Sequence, residues 1–242
     1  MFTGLTATVV FVGWSLLAYR ARPEAWAALS SDSHVSVTRG NGCWALQPQR
    51  AEPLGLLFFA GALVQPAAYA PLLRSISEEG YYVLLVELPH RGMFGGADGP
   101  QVLDRARAAM SRAAGVTRWV VAGHSKGGAV AARFVQVGDP ALAGLILVGT
   151  SHPRDFSLAD IQLPVTRVFG SRDTVADVEK LEANRHNLPP STQMIRIDGG
   201  NHSQFGYYGF QPGDWPATIS REQQQIATRR AILQALAGAR AN

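Results

Sequence analysis

Between Trp119 and Phe134 the chain reads WVVAGHSKGGAVAARF, and this stretch decides the fold. An apolar, β-branched run ends at Gly123, and an alanine-rich pattern with helical spacing follows Ser125. Gly123, Ser125 and Gly127 make the pattern G-x-S-x-G in a strand–turn–helix context. On so tight a turn, side chains two residues before or after the serine would collide with neighbouring backbone, and glycine at both positions removes those collisions. A helix N-cap serine after a glycine turn is the alternative interpretation.

The rest of the sequence alternates predicted strands with predicted helices. Eight runs have strand character: VSVT, CWALQP, LGLLFFAG, YYVLLVEL, RWVVAG, LAGLILVGTS, PVTRVFG and TQMIRIDGG. Such alternation predicts βαβ units with right-handed crossovers, and therefore an α/β fold with a mostly parallel central sheet flanked by helices on both faces. Between the sixth and seventh strands lies Ser151–Gln162, which is too short for a separate lid domain.

A serine nucleophile needs a base, and the base needs an acid that orients it. In parallel sheets, ligands bind beyond the carboxyl ends of the strands, so the residues just after each strand are the candidates. His202 directly follows the last strand in IDGGNHSQFG, and Asp173 directly follows the strand before it in VFGSRD. The order Ser125, Asp173, His202 is that of α/β-hydrolases and differs from the other two serine-triad orders. The alternatives are a capping histidine at position 202 and a turn or N-cap aspartate at position 173.

The other histidines and aspartates suit catalysis less well. His124 is adjacent to Ser125 on a turn that is too tight for the His124 ring to reach the Ser125 hydroxyl. His90 is more typical of a pocket residue. The remaining histidines and aspartates lie in the tether, at surface positions or farther behind a strand. They are His34, His152, His186, Asp155, Asp160 and Asp177.

An oxyanion formed during acyl transfer needs backbone N–H donors. The residue after the nucleophile, Lys126, supplies one, and the loop in FFAGALVQP supplies the second from Ala62 or Leu63, where Gly61 leaves room. That loop could equally be a simple strand-to-helix turn. The pocket-wall candidates, each of which could equally be a packing residue, are His90, Met93, Phe94, Phe156 and Phe205.

Composition narrows the classes of function. The chain has 242 residues, enough for one sizeable core, and its net charge of +4 is spread out. Without a basic stripe interleaved with aromatic residues, a nucleic-acid partner is not expected. One cysteine, Cys43, excludes an intrachain disulfide and a CxxC metal or redox site. We expect neither a metal nor an organic cofactor, and the sequence indicates no protein partner.

The first nineteen residues contain no charged side chain. The run LTATVVFVGWSLLAY approaches the roughly 20 apolar residues of a membrane-spanning helix, and Arg20 and Arg22 follow it. We expect 1–19 to form an uncleaved transmembrane anchor that makes the protein membrane-associated, on an undetermined side. A signal peptide and an ordinary core helix are the alternatives. A polar tether over 20–34 and a catalytic domain over 35–242 would follow the anchor.

These motifs resemble the α/β-hydrolase superfamily, and more narrowly the small bacterial membrane-anchored α/β-hydrolases grouped with dienelactone-hydrolase-like sequences. The likeness runs from about Val35 to Ala237 and includes FFAGALVQPAAYAPLLRSISEEGYYVLLVELP, AGHSKGGAVAARF, VFGSRDTVA and IDGGNHSQFGYYGFQPGDWPATISREQQQ. The resemblance implies the same triad of Ser125, Asp173 and His202. A true dienelactone hydrolase would be expected to use cysteine as its nucleophile, so that substrate is not carried over. The loop HRGMFGGADG also departs from the more apolar pattern of the group.

The sequence therefore predicts a serine esterase that hydrolyses a small-molecule carboxylic ester, or a related acyl bond, through an acyl-enzyme intermediate. Two alternatives stay open. One is a non-catalytic binding module built on the same fold, and the other is thioester, amide or carbon–carbon hydrolysis by the same triad.

Overall fold

A sheet of eight strands forms the centre of the structure, a computed structural model that describes residues 13–14, 17–93, 96–97 and 99–241. The spatial order is β1-β2-β4-β3-β5-β6-β7-β8. Strand β2 runs antiparallel to β1 and β4, and the pairs from β4 to β8 are all parallel. The strands are β1 Val35–Gly40, β2 Cys43–Pro48, β3 Leu54–Phe59, β4 Val83–Val86, β5 Arg118–His124, β6 Leu142–Val148, β7 Val165–Gly170 and β8 Gln193–Ile197. The predicted mostly parallel sheet is confirmed.

The strands β3, β4 and β6 are apolar along almost their whole length because both faces of the sheet are covered. In β3, Leu56 and Phe58 belong to one core cluster, and Leu57 and Phe59 belong to the other. All six residues of β3 are buried, whereas the edge strands β1 and β8 expose part of their length.

Six α-helices that are described over their whole length accompany the sheet: α1 Pro23–Ala27, α2 Ala70–Ser77, α3 Pro100–Met110, α4 Lys126–Val137, α5 Val178–Ala183 and α6 Arg221–Ala241. Residues of α2 and α6 pack in one core cluster and residues of α3 and α4 in the other, so the predicted helices on both faces are confirmed. Helix α5 ends at Ala183, and Asp177 caps its start by accepting the Lys180 N–H at 2.8 Å.

The predicted transmembrane anchor and membrane localisation are corrected by the structure. Among the helices of the described residues, none is long and apolar enough to cross a membrane. Residues 1–12 and 15–16 of the expected anchor lie outside the described residues. The end of the segment joins the main core: Tyr19 is buried, and its ring lies 5.8 Å from that of Tyr208. The Ala18 carbonyl accepts the Gly209 N–H at 2.8 Å.

The stretch 20–34 lies against the sheet-bearing part of the chain. Ala25 of α1 is fully buried, and the Trp26 ring packs edge-on against Trp44. The guanidinium of Arg74 in α2 donates to the Ser30 carbonyl at 2.7 Å and pairs with the Asp32 carboxylate. These contacts hold the stretch beside α2 and β2.

The chain contains no regular element between β6 and β7. Residues 149–164 form neither helix nor strand, so no separate lid is present in this part of the described chain. The segments after β3, β5, β7 and β8 all emerge at the carboxyl edge of the sheet, and they contain the residues considered next.

Candidate active site

Ser125 occupies the sharp turn between β5 and α4. Its backbone angles, φ 54° and ψ −120°, lie in a region that non-glycine residues rarely adopt, and its side chain makes no capping hydrogen bond to the helix. The Ser125 N–H donates to the Val148 carbonyl at 3.0 Å, and the residue is half-buried. This geometry differs from that of an ordinary N-cap, which has extended angles and a side-chain bond to the helix N–H groups.

The two glycines that flank Ser125 are required by the closeness of neighbouring backbone. A Cβ on Gly123 would lie 2.2 Å from the Gly127 carbonyl oxygen, and a Cβ on Gly127 would lie 2.1 Å from the carbonyl oxygen of Phe59 in β3. Real Cβ atoms essentially never approach this closely. The steric reason predicted for the G-x-S-x-G pattern is therefore present.

Asp173 and His202 meet behind β7 and β8. The Nδ1 of His202 lies 2.8 Å from Asp173 Oδ2, and the exposed fractions of the two residues are 0% and 3%. The other carboxylate oxygen accepts the N–H groups of Val175 and Ala176 at 3.0 and 2.7 Å. Because Nδ1–H donates to the carboxylate, a neutral His202 has its lone pair on Nε2. That atom is buried without a hydrogen-bond partner among the described residues.

The ring of His124 places this pair beside the serine turn. His124 is the residue before Ser125, and its ring centroid lies 4.5 Å from that of His202. A hydrogen bond between Ser125 and His202 Nε2 is not formed in the described structure. Such bonds are often long in enzymes without substrate and tighten on binding.

Asp214 is a buried residue of the site that the sequence analysis missed. It accepts the His202 N–H at 3.2 Å, the Ser203 N–H at 2.8 Å and the Ser203 hydroxyl at 2.7 Å, and it is 4% exposed. Asp214 therefore fixes the loop that presents His202. It lies in the loop FQPGDWP and follows no strand, so the strand-end rule gave no signal for it.

The loop after β3 offers one of its two predicted N–H donors. Leu63, at φ 65°, donates its N–H to the Arg91 carbonyl at 2.6 Å, so that group is already engaged. The Ala62 N–H has no acceptor among the described residues. Lys126 is the first residue of α4, where backbone N–H groups point out along the helix axis at its positive end. Ala62 therefore remains the candidate donor in this loop, and Lys126 the candidate donor in α4.

Two of the predicted pocket residues take part in packing. Phe205 is 1% exposed, and its ring centroid lies 5.5 Å from that of His124, within the same buried cluster as the two histidines. Phe156 is partly buried against the core, and the Arg133 guanidinium lies 4.6 Å from its ring centroid.

The other pocket candidates follow β4. His90 adopts φ 46° and borders a cavity of about 260 Å³ that is also lined by Trp26, Trp44 and Glu87. Met93 is half-buried, and Phe94 lies outside the described residues. Within the described chain, no group of three or more histidine, cysteine, aspartate or glutamate side chains is arranged to hold a metal ion.

Comparison with known proteins identifies the family. The model of the alpha/beta hydrolase family matches residues 55–226. A search of curated proteins finds no match. Among solved structures, a thermophilic esterase from Thermogutta terrifontis is 14% identical, with a TM-score of 0.60 over 87% of this chain and 99% of that one.

Two further solved structures share the fold at similar distance. A putative dienelactone hydrolase from Klebsiella pneumoniae is 15% identical, with a TM-score of 0.58 over 81% of this chain and 92% of that one. A membrane phospholipase A described as a bacterial virulence factor is 18% identical, with a TM-score of 0.58 over 99% of this chain and 93% of that one. At these identities the structures share the fold, whereas the family model matches more than half of the sequence directly. The chain belongs to the alpha/beta hydrolase family.

Proposed function

We propose that this chain is a serine hydrolase that cleaves a carboxylic ester or a related acyl bond of a small molecule. Ser125 is the nucleophile, His202 the general base and Asp173 the acid that orients it. The observation that supports this most strongly is the buried bond between Asp173 and His202, which leaves His202 Nε2 without a partner beside the strained serine turn.

The proposed reaction proceeds in two half-reactions. Ser125 Oγ attacks the carbonyl carbon while His202 Nε2 takes the hydroxyl proton, and Asp173 stabilises the imidazolium that forms. The tetrahedral intermediate collapses, the bond to the leaving group breaks, and His202 returns the proton to that group. Water, activated by the same His202, then attacks the acyl-enzyme and releases the carboxylic acid and the free serine.

The negative charge on the tetrahedral oxygen is stabilised by backbone donors. The N–H groups of Lys126 and Ala62 are our candidates, because the Leu63 N–H is already engaged by Arg91. Removal of a donor of this kind commonly costs about 100- to 1,000-fold in kcat. The position of Lys126 at the start of α4 adds the favourable end of the helix dipole.

The short connection between β6 and β7 favours small or extended acyl groups. Residues 149–164 place no helix over the site, so a substrate need not be fully enclosed. An esterase stands among the similar solved structures, and we therefore rank ester bonds ahead of thioester, amide and carbon–carbon bonds.

A panel of p-nitrophenyl esters with graded acyl length, run beside thioesters and anilides, tests the proposal. We expect turnover of at least one short ester, loss of that turnover by several powers of ten in Ser125→Ala, and unchanged turnover in Ser111→Ala, whose hydroxyl is exposed on the surface. Turnover that survives in Ser125→Ala would sink the proposal. Binding without any turnover would favour the non-catalytic module.

A further inference from the structure

A buried hydrogen-bonded pair, Tyr69 and His124, joins the two sides of the proposed site and has no part in the triad chemistry. The Tyr69 hydroxyl oxygen lies 2.8 Å from His124 Nδ1 and accepts the Gly61 N–H at 3.1 Å. Both side chains are fully buried. The Tyr69 hydroxyl therefore contacts Gly61, which precedes the proposed oxyanion donor Ala62, and His124, which precedes the proposed nucleophile Ser125.

The protons of this pair can be assigned by counting donors and acceptors. A tyrosine hydroxyl has one proton. Gly61 donates to the Tyr69 oxygen, and His124 Nδ1 is the acceptor within reach of the hydroxyl proton among the described residues. His124 Nδ1 is then an acceptor, and a neutral His124 has its proton on Nε2. His124 Nε2 is buried without a hydrogen-bond partner among the described residues, so this assignment leaves one N–H unsatisfied. Protonation of Nδ1 would leave two groups unsatisfied, the Tyr69 proton and the lone pair of Nε2.

The packing around the pair is too close for the two sides to move independently. A Cβ on Gly61 would lie 2.7 Å from the Tyr69 hydroxyl oxygen and 3.1 Å from His124 Nδ1. Ala62 follows Gly61 directly, and Lys126 lies two residues after His124. The Tyr69–His124 bond therefore sets the separation of the two backbone N–H groups that we assign to the oxyanion.

His124 of this pair also packs against one side of the His202 ring. The His124 ring lies 4.5 Å from that of His202. Burial, followed by the charge of His202, holds the pKa of His124 well below its ordinary value. The other ionisable groups near the pair are Tyr208, whose pKa is raised well above its ordinary value by burial, and Asp173 behind His202. A neutral His124 does not repel the imidazolium that His202 becomes during the reaction.

We propose that Tyr69 and His124 are positioning residues that hold the oxyanion donors at a fixed separation and present an uncharged, Nε2-protonated imidazole to His202. The inference rests on the proposed function and adds to it two residues outside the triad. Neither residue touches the substrate. Their effect is exerted through the donors of Ala62 and Lys126 and through His202.

Tyr69→Phe tests the pair, because it removes the hydroxyl and keeps the ring. We expect kcat for the best ester to fall about 10- to 100-fold, since small misplacements of reacting groups cost this much, while KM changes less than about threefold. Affinity for a boronic acid that mimics the tetrahedral intermediate should fall in parallel with kcat. Tyr82→Phe is the matched control, because Tyr82 is also buried but packs on Trp119, away from the site. A KM increase with unchanged kcat, or equal losses in both variants, would overturn the inference.

The imidazole tautomer gives a readout that does not depend on activity. In the ¹⁵N spectrum of the histidine-labelled protein, with the His124 signals assigned by comparison with His124→Gln, we expect a neutral ring protonated at Nε2 between about pH 5 and 8. In Tyr69→Phe, the Nδ1 signal should move because its hydrogen bond is lost. A protonated or Nδ1–H ring in the wild type would overturn the assignment.

Different results would exclude the proposed function and the positioning role of Tyr69 and His124. Without Ser125-dependent turnover in the wild type, the proposed function fails, and the catalytic part of this inference fails with it. With such turnover in place, an unchanged kcat in Tyr69→Phe overturns the positioning role alone.

Discussion

The substitution Gly127→Ala tests the steric basis of the serine turn. A Cβ at this position would lie 2.1 Å from the Phe59 carbonyl oxygen and 2.5 Å from the Ala60 carbonyl oxygen. Both neighbours are backbone atoms at the end of β3, so no side chain can rotate away. Restoring an ordinary van der Waals contact requires that α4 and β3 separate by about 1 Å or more.

That displacement affects both the stability of the fold and the rate of the reaction. Overpacking of this kind costs about 1–3 kcal/mol of unfolding free energy. A misplacement of about 1 Å costs about 100-fold in rate, which corresponds to about 2.7 kcal/mol of transition-state stabilisation. We therefore expect kcat/KM of Gly127→Ala to fall at least 100-fold in protein that is still folded.

The assay compares kcat/KM for a short ester with the thermal unfolding midpoint of the same samples. Gly238→Ala is the control, because a Cβ on Gly238 in α6 would meet nothing within 4 Å. We expect it to keep full activity and to be as stable as the wild type or slightly more so. If Gly127→Ala retained activity within threefold of the wild type, the reasoning about the turn would be refuted.

Three further predictions concern the residues behind the serine. Asp173→Asn should lower kcat by about 10,000-fold with little change in unfolding temperature, because the amide favours the wrong tautomer of His202. A fall of less than tenfold in steady-state kinetics would contradict the orienting role of Asp173. Asp214→Ala should reduce the free energy of unfolding, measured in urea, by about 3 kcal/mol, because the N–H of His202 and two donor groups of Ser203 lose a buried charged acceptor. A loss below about 1 kcal/mol would contradict this role of Asp214. As the pH falls below about 6.5, the unfolded chain binds a proton at residue 124 that the folded protein does not, since burial lowers the pKa of His124. Stability should therefore fall by up to about 1.4 kcal/mol per pH unit from this group. The His124→Gln variant should lack that part of the slope, and identical slopes would count against it.

Much of the fold could be predicted because local pattern and burial agree. The continuous apolar runs become strands that are covered on both faces, and the glycines around Ser125 mark a turn that few other residues could form. Asp173 and His202 were predictable because they stand directly behind strands, where parallel sheets place their functional residues.

The rest of the site depends on contacts between distant parts of the chain. Asp214 reaches His202 from a loop without regular structure, and Tyr69 meets His124 across 55 positions. The hydropathy of the N-terminal segment reports how apolar its residues are, but not which residues they contact. In the structure, Tyr19 packs against Tyr208. Local sequence patterns do not report contacts between residues so far apart in the chain.

The central claim is that Ser125 is a nucleophile activated by His202, and covalent labelling tests it most directly. The full-length protein is treated with a fluorophosphonate, and the adduct is mapped by mass spectrometry of peptides. The account predicts one adduct, on Ser125, that forms in Ser111→Ala and is lost in Ser125→Ala and strongly slowed in His202→Ala. An adduct on another residue, or labelling of Ser125 at the same rate without His202, would contradict it.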